Sequence, residues 1–303
     1  MRSNDIVYHY CSSDVFYSII NNKTIRFSDI TKSNDSAEIG WITKYLDSVF
    51  TEELRCANNN LIFMKSYQPI DLHRCFLSFE DAYFIKALRD KDKFFWFYVS
   101  CFSMKGDMLS QWRGYADDGK GFCIGFDRHE FEQYSTGGFK LLSLHSGEVN
   151  YLEEKQISDV CGIIKELFDQ LLKNAQSGKT SVEHVRIELN KCFQKLIELA
   201  VFIKNPFFKE EKEWRMCLWT YKEFSRDSKD IILVKNGQPE QYELGFKTRG
   251  NTLVSFFDMK FEPYVLKHII VGPKNNTDLA DLKMFLHSHN IDCRIEKSKG
   301  TYV

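Results

Sequence analysis

Four short clusters of polar residues interrupt a largely apolar chain, and their side chains are of the kinds that bind ligands or transfer protons. The clusters are YHY at 8–10, SNDSAE at 33–38, SQWRGYA at 110–116 and KEEKEWR at 209–215. The third cluster is dense in hydrogen-bonding and stacking groups, namely Ser110, Gln111, Trp112, Arg113 and Tyr115. Arginine and glutamine need hydrogen-bond partners wherever they are buried, so this cluster forms either a ligand site or an internal network.

The last cluster contains an E-x-E pair, Glu211 and Glu213, at the start of the apolar run EWRMCLWTY. Residues two apart in a strand face the same side. We therefore expect both carboxylates to face one group, such as a ribose hydroxyl or a developing cation. The alternative for KEEKE is a run of charges exposed to solvent. That alternative explains Glu213 and Arg215 less well, because they lie against the strand itself.

The two N-terminal clusters each have a structural and a functional interpretation. In a strand at YHY, alternation places Tyr8 and Tyr10 on one face and His9 on the other. In SNDSAE, a helix cap with a capping-box glutamate explains most of the pattern. The functional alternative is a supporting polar network made of Asn34, Asp35 and Glu38.

A partial phosphate-loop motif, G-x-x-x-x-G-K, ends at Lys120, but its context argues against nucleotide hydrolysis. Gly121 stands where the metal-binding hydroxyl is required. The flanking residues predict a short helix capped by Asp107, an Asp-Gly turn and then a strand at 121–127. A phosphate loop needs the reverse order, a strand before the loop and a helix after it.

Composition predicts a globular cytosolic protein. The chain has 303 residues, 43% hydrophobic and 15% aromatic, and a formal charge of −1, which gives no electrostatic case for general nucleic-acid binding. Its nine cysteines include no C-x-x-C pair, as is typical of reduced thiols. No apolar run approaches the 18 residues that a membrane span needs, so we expect no membrane partner.

The pattern of elements predicts an α+β fold with mostly antiparallel strands and an inserted long helical pair. Strands are expected at 5–11, in TIRFSDI, at 94–103, 121–127 and 213–221, and in a later β-rich meander. A helix is expected after the first strand, with Ser12 or Ser13 as its cap. A strand–helix–strand unit ends the pattern, with Thr277 or Asp278 as helix cap. We predict one elaborated domain over 1–303, with the helical insertion at about 152–204.

Taken together, the clusters resemble a bacterial family known as domain of unknown function 2971. The shared pattern is YHYCS at 8–12, SNDSAE at 33–38, CFSMKGDMLSQWRGYADDGKGFCIGF at 101–126, KEEKEWR at 209–215 and VGPK at 271–274. The resemblance runs along nearly the whole chain, and its central block is specific. It implies little about function.

A more distant resemblance is to the ADP-ribosyltransferase superfamily, on the first-strand H-Y-[ST]-like element and the late glutamate. It implies an ADP-ribosyltransferase-like fold and NAD as co-substrate, with no metal. Its members cleave an N-glycosidic bond through a cationic transition state, which a fixed carboxylate stabilises. Residue by residue, the resemblance implies that His9 binds the ribose, flanked by Tyr10 or Ser12, and that Glu213 is the catalytic carboxylate with Glu211 as its partner. Arg113 and Arg215 would bind the pyrophosphate. The remaining substrate- or cofactor-binding candidates are Ser110, Gln111, Trp112 and Tyr115.

Three functions stay open at this point. The first is ADP-ribosyl transfer to a protein or nucleic-acid acceptor, in a toxin or anti-phage defence effector. The second is a non-catalytic ligand-binding or sensor module of a defence or stress system. The third is a metal-dependent nuclease or phosphoesterase that uses Asp35, Glu38 and Glu213. The acceptor, the pathway and the oligomeric state are not predicted by the sequence.

Overall fold

The computed structural model describes residues 5–32, 38–67, 95–136, 143–221, 230–235 and 238–302. Asn34 and Asp35 lie outside these ranges. Internal contacts divide the chain into two compact units where the sequence predicted one elaborated domain. The first unit is Met1–Lys32, Phe97–Glu148 and Lys209–Val303, and the second is Ser33–Trp96 and Val149–Phe208.

Alternating and buried apolar runs form the strands of the structure. They are β1 (Ile6–Cys11), β2 (Thr24–Asp29), β3 (Phe95–Ser103), β4 (Phe122–Asp127), β5 (Tyr134–Thr136), β6 (Ser143–Glu148), β7 (Glu213–Tyr221), β8 (Asp230–Lys235), β9 (Gln238–Glu243), β10 (Gly245–Arg249), β11 (Thr252–Lys260), β12 (Leu266–Val271) and β13 (Arg294–Lys297). The helices of the first unit are α1 (Ser13–Asn22), α4 (Leu109–Tyr115), α5 (Arg128–Glu132) and α8 (Leu279–Ser288), and those of the second are α2 (Thr43–Asn58), α3 (Leu61–Ser66), α6 (Glu153–Gln176) and α7 (Val182–Val201).

A large, mostly antiparallel sheet organises the described strands. Ten strands take part: β10, β11, β2, β3, β1, β4, β12 and β13 lie side by side, while β7 pairs with β3 and β6 with β7. Only the edge pair β12 and β13 is parallel among the pairings whose register the structure gives. A second, three-stranded sheet contains β5, β8 and β9. The fold is therefore α+β, as the sequence predicts.

Local signals place the helix starts of the first unit. Ser12 caps α1, its side chain accepting from the backbone N–H of Val15 at 3.4 Å. Asp278 caps α8 and accepts from the N–H groups of Ala280 and Asp281. Side-chain caps of this kind satisfy donors that the helix leaves unpaired, which explains why polar residues at these positions predicted the boundaries.

The second unit is helical, and one glutamine holds its segments together. The Gln156 side chain is fully buried. It donates to the carbonyls of Asn150 (2.7 Å) and Lys204 (2.8 Å), and it accepts from Trp41 Nε1 and the Tyr45 hydroxyl, both at 3.0 Å. All four hydrogen-bonding sites of the amide are used, so its role is structural.

Two general properties follow from the described part of the chain. None of its helices is long and apolar enough to cross a membrane. Its cysteines are free thiols; in the sheet, Cys11, Cys123 and Cys217 are buried, whereas Cys101 on β3 is exposed. Burial raises the pKa of each of these three thiols, which keeps them protonated at neutral pH.

Candidate functional site

The loop between β3 and α4 brings three of the four polar clusters together. The Tyr10 hydroxyl donates to Lys105 O at 3.0 Å and accepts from the N–H of Met108 at 2.9 Å. From the other side, Ser103 Oγ donates to Glu211 O at 2.8 Å. Residues about 100 positions apart in sequence therefore meet within the first unit.

Within this convergence, Tyr10 and Trp112 are core residues rather than ligand contacts. Both are buried, and their rings pack edge to face with centroids 4.9 Å apart, in a cluster with Cys123 and Ile270. Burial raises the pKa of Tyr10 far above its usual value. Of the two alternatives that the sequence leaves for Trp112, a ligand site or an internal network, the structure places it in the second, because its ring fills the space between α4 and the sheet.

Asp107 is not the cap of α4 that the sequence predicts. The residue at the cap position is Met108, which makes no side-chain cap. The Asp107 carboxylate instead accepts from Trp112 Nε1 at 2.9 Å and from the N–H of Lys299 at 2.8 Å. Burial alone would raise the pKa of this carboxyl, but the hydrogen bonds it accepts from Ser298, Lys299 and Trp112 leave its pKa below the usual value.

One face of α4 carries the residues best placed to meet a ligand. Gln111 and Tyr115 are four residues apart, so they lie on the same face of the helix. The Tyr115 hydroxyl donates to Glu211 Oε1 at 3.0 Å, and this ring is 55% exposed. Gln111 is only 7% exposed, and its amide makes no hydrogen bond with a described residue. Its polar atoms are not among the fully buried ones that lack a partner, so they reach solvent.

The E-x-E prediction for the last cluster is wrong in its geometry. Glu211 ends a 3₁₀ helix, Pro206–Glu211, and β7 begins only at Glu213. Lys212 between them has a left-handed backbone, with φ of 45°. The two carboxylates therefore do not alternate along one strand, and they have different partners.

Glu213 forms a buried ion pair with Arg215. Nε and Nη2 of Arg215 donate to Oε1 and Oε2 of Glu213, each at 2.8 Å, and the exposed fractions of the two side chains are 0% for arginine and 7% for glutamate. Residues two apart on β7 share a face, which permits this bidentate contact within one strand. The carboxylate that was predicted to contact a ribose and the guanidinium that was predicted to contact a pyrophosphate therefore bind each other.

His9 lies on the face of the sheet opposite to Glu213. Its Nδ1 donates to Cys101 O at 3.1 Å, and its ring packs edge-on against Phe102, which in turn packs against Trp214. Trp214 and Glu213 are adjacent in β7 and so point to opposite faces. Burial lowers the pKa of His9, which is neutral at pH 7. The structure does not bring His9 and Glu213 into one pocket.

The other predicted contacts are dispersed. Ser12 is engaged as the cap of α1, whereas Ser110 and Arg113 are exposed on α4. In the second unit, Glu38 forms a buried ion pair with Lys204, Nζ to Oε1 being 3.4 Å. No group of three or more His, Cys, Asp or Glu side chains within the described ranges is arranged to hold a metal ion.

A pair of lysines beside the α4 face was not predicted. The N–H of Met104 donates to Lys212 O at 2.7 Å, which aligns the two loops that carry Lys105 and Lys212. The nearby positive charge of Lys105 lowers the pKa of Lys212. The lysines are 107 positions apart, so no local pattern in the sequence pairs them. Together with Gln111, Tyr115 and Glu211 they form what we term the motif site.

The glycines of the central block have a packing role. The turn after α4 contains Asp118 (φ 53°) and Gly119 (φ 84°), as the Asp-Gly prediction requires. A Cβ on Gly121 would lie 2.0 Å from Cys11 O, and one on Gly272 would lie 2.3 Å from Gly119 O. These turns pack backbone against backbone, and the order helix, turn, strand confirms that the segment is not a phosphate loop.

The comparisons with known proteins point to one family. The family described as protein of unknown function (DUF2971) matches residues 111–216, about a third of the chain, from Gln111 in α4 to the first half of β7. No curated protein and no solved structure matches. The segment that supplies most of the motif site, together with the Glu213–Arg215 pair, thus lies within the part of the chain that matches the DUF2971 family.

Proposed function

We propose that the protein binds a nucleotide ligand at the motif site, and that NAD⁺ is this ligand. The observation that carries the proposal is the amide of Gln111, which lies on a largely buried residue but reaches solvent and makes no hydrogen bond with a described residue. A ligand that offers an amide, a hydroxyl or a base edge can take the place of the water that this amide meets.

The remaining groups of the motif site suit the parts of a dinucleotide. Lys105 and Lys212 hold two like charges together, and a pyrophosphate between them would replace repulsion with attraction. The exposed ring of Tyr115 offers a stacking surface, and Glu211 accepts hydrogen bonds as a ribose requires. The site therefore offers complementary groups to each chemical part of NAD⁺.

ADP-ribosyl transfer is the activity that we propose for this site. The bond between nicotinamide N1 and ribose C1′ breaks, and nicotinamide leaves with the bonding electron pair. An acceptor nucleophile then bonds to C1′ and loses its proton. Glu211 is partly exposed, so its carboxylate can stabilise the developing cation and take that proton. Glu213 is already paired with Arg215, which makes it a support of the site in this proposal.

A ligand-binding sensor without turnover is the second candidate. The specific observation in its favour is that the carboxylate expected to act in catalysis, Glu213, is closed off by two hydrogen bonds to Arg215. His9, the other expected catalytic group, packs on the opposite face of the sheet. Binding at Gln111 requires neither residue.

Isothermal titration with NAD⁺, ADP-ribose and ATP tests the binding proposal. We expect NAD⁺ to bind, and Gln111→Ala and the double variant Lys105→Ala/Lys212→Ala each to weaken it about tenfold or more, since each removes hydrogen bonds or charge contacts to the ligand. The control Gln241→Ala removes an exposed amide on β9 and should leave affinity unchanged. No binding of any of the three compounds would refute the proposal.

Radiolabelled NAD⁺ separates transfer from sensing. Release of nicotinamide or labelling of a protein, DNA or RNA acceptor by the wild type, lost in Glu211→Gln, supports transfer with Glu211 as the acting carboxylate. Loss only in Glu213→Gln would return the catalytic role to Glu213. Binding with no turnover in any sample supports the sensor.

A further inference from the structure

Residues Ser298–Tyr302, which we term the strap, follow β13 and lie on the segment that carries α4. The strap begins as an extension of the sheet, where the N–H of Ser298 donates to Val271 O at 2.8 Å. Ser298 Oγ then donates to Asp107 Oδ1, and the N–H of Lys299 donates to Asp107 Oδ2 at 2.8 Å. Both oxygens of Asp107 are therefore engaged by the strap.

The strap has a second anchor at the other end of α4. The Tyr302 hydroxyl donates to Asp118 Oδ1 at 2.6 Å. The same carboxylate accepts from Lys274 Nζ at 2.9 Å through its other oxygen. The Tyr302 ring lies 4.0 Å from Lys274 Nζ and 5.8 Å from the guanidinium carbon of Arg113. Two cations and one carboxylate thus hold a single tyrosine.

These two anchors bracket α4. Asp107 stands just before the helix, and Asp118 stands just after it. Both have left-handed backbones, with φ of 58° and 53°, a conformation that tertiary contacts must maintain in a residue other than glycine. A helix of seven residues is too short to be stable by itself. Its position therefore depends on what holds its two ends.

From this geometry we infer that the strap is a positioning element for the motif site. By holding Asp107 and Asp118, the strap sets the orientation and position of α4, and therefore the positions of Gln111 and Tyr115. Tyr302 acts through Arg113, which is two positions from Gln111 and so on the opposite side of α4, and through Asp118 in the turn beyond the helix. It therefore needs no contact with the ligand. The link to ligand binding rests on the proposed function, whereas the link to α4 does not.

Hydrogen–deuterium exchange of the full chain tests the inference. Tyr302→Ala should speed exchange of the α4 amides about threefold to tenfold, the effect of losing a hydrogen bond of ordinary net strength. Tyr302→Phe keeps the ring against Arg113 and Lys274 and should give a smaller increase. In wild type and variants, the affinity for NAD⁺ is measured alongside.

Tyr264→Ala is the matched control. Its hydroxyl donates to Glu130 Oε2 at 3.1 Å, its ring lies 5.9 Å from Lys267 Nζ, and it is exposed, so it copies the surroundings of Tyr302 without touching α4. It should leave both α4 exchange and affinity unchanged. If Tyr302→Ala does not yield folded protein, Asp118→Asn, which weakens the same anchor at the surface, replaces it.

The outcomes separate this inference from the proposed function. Faster α4 exchange together with weaker NAD⁺ binding supports the inference. Unchanged α4 exchange in Tyr302→Ala, or exchange that rises equally in Tyr264→Ala, overturns it whatever the ligand data show. Faster exchange with unchanged affinity overturns the positioning of the site. If the wild type binds no NAD⁺, the proposed function fails, and the exchange data alone decide whether the strap holds α4.

Discussion

Removing Glu213 should destabilise the protein severely, because it leaves a charged guanidinium inside the sheet. Arg215 is fully buried and donates two hydrogen bonds to Glu213 at 2.8 Å. Breaking a buried ion pair by deleting one partner costs about 3–5 kcal/mol. We expect Glu213→Ala to lose a free energy of unfolding in this range.

An exposed pair with the same geometry provides the control. Nε and Nη2 of Arg26 donate to the two oxygens of Asp258, each at 2.7 Å, but these side chains are 42% and 34% exposed. Exposed pairs contribute about 0–1 kcal/mol. Asp258→Ala should therefore cost far less than Glu213→Ala, although it breaks an equally short bidentate contact.

Urea unfolding followed by tryptophan fluorescence measures both variants. Trp214 is buried next to Glu213 in β7, so its emission reports on this part of the sheet. With a slope of about 3 kcal/mol per molar urea, a loss of 3–5 kcal/mol lowers the midpoint by about 1–1.7 M. A loss below about 1 kcal/mol, or one equal to that of Asp258→Ala, would refute the reasoning. Glu213→Leu combined with Arg215→Met should recover much of the loss, since no charge is then left buried.

Three further predictions concern other features. Gln111→Leu should abolish NAD⁺ binding while changing thermal stability little, because the amide that it removes makes no hydrogen bond with a described residue; a large fall in melting temperature would contradict this. Gly121→Ala should destabilise by more than about 1 kcal/mol in the same urea assay, since its Cβ would collide with Cys11 O, whereas Gly162→Ala, in open space on α6, should stabilise by about 0.5–1 kcal/mol. The pKa of Asp107 is lowered in the folded protein, so its contribution to stability is present above the ordinary aspartate pKa and is lost as the pH falls through the folded value. Relative to the intrinsic exchange rate at each pH, strap amides measured by NMR should become less protected as the pH is lowered from 6 toward 2, and Asp107→Asn should remove that change.

Most elements of the fold were predictable because their signals are local. Alternation identified β1 and placed His9 opposite to Tyr8 and Tyr10, and polar caps located the starts of α1 and α8. The helix, turn and strand around Gly119 followed from turn chemistry alone. These predictions depend on residues within a few positions of one another, which a single sequence displays directly.

The candidate site was only partly predictable because its contacts are long-range. Gln111 and Tyr115 were singled out by residue type, but nothing near Lys105 indicates that it meets Lys212. The residue type and position of Asp107 are typical of a helix cap. Only its contacts with residues distant in the sequence show that it is not one. The E-x-E prediction failed at Lys212, whose left-handed backbone is set by the hydrogen bond of its carbonyl with another loop.

The strap also affects when the protein can complete its fold during synthesis. Asp107 and its partner Ser298 are separated by 191 positions. At a synthesis rate of about 5–20 residues per second, about 10–40 s pass on the ribosome between the two. During that interval all residues of α4 have been synthesised, but the strap that contacts both of its ends has not. Under the inference drawn above, α4 therefore reaches its final position only after β13 and the strap have joined the sheet.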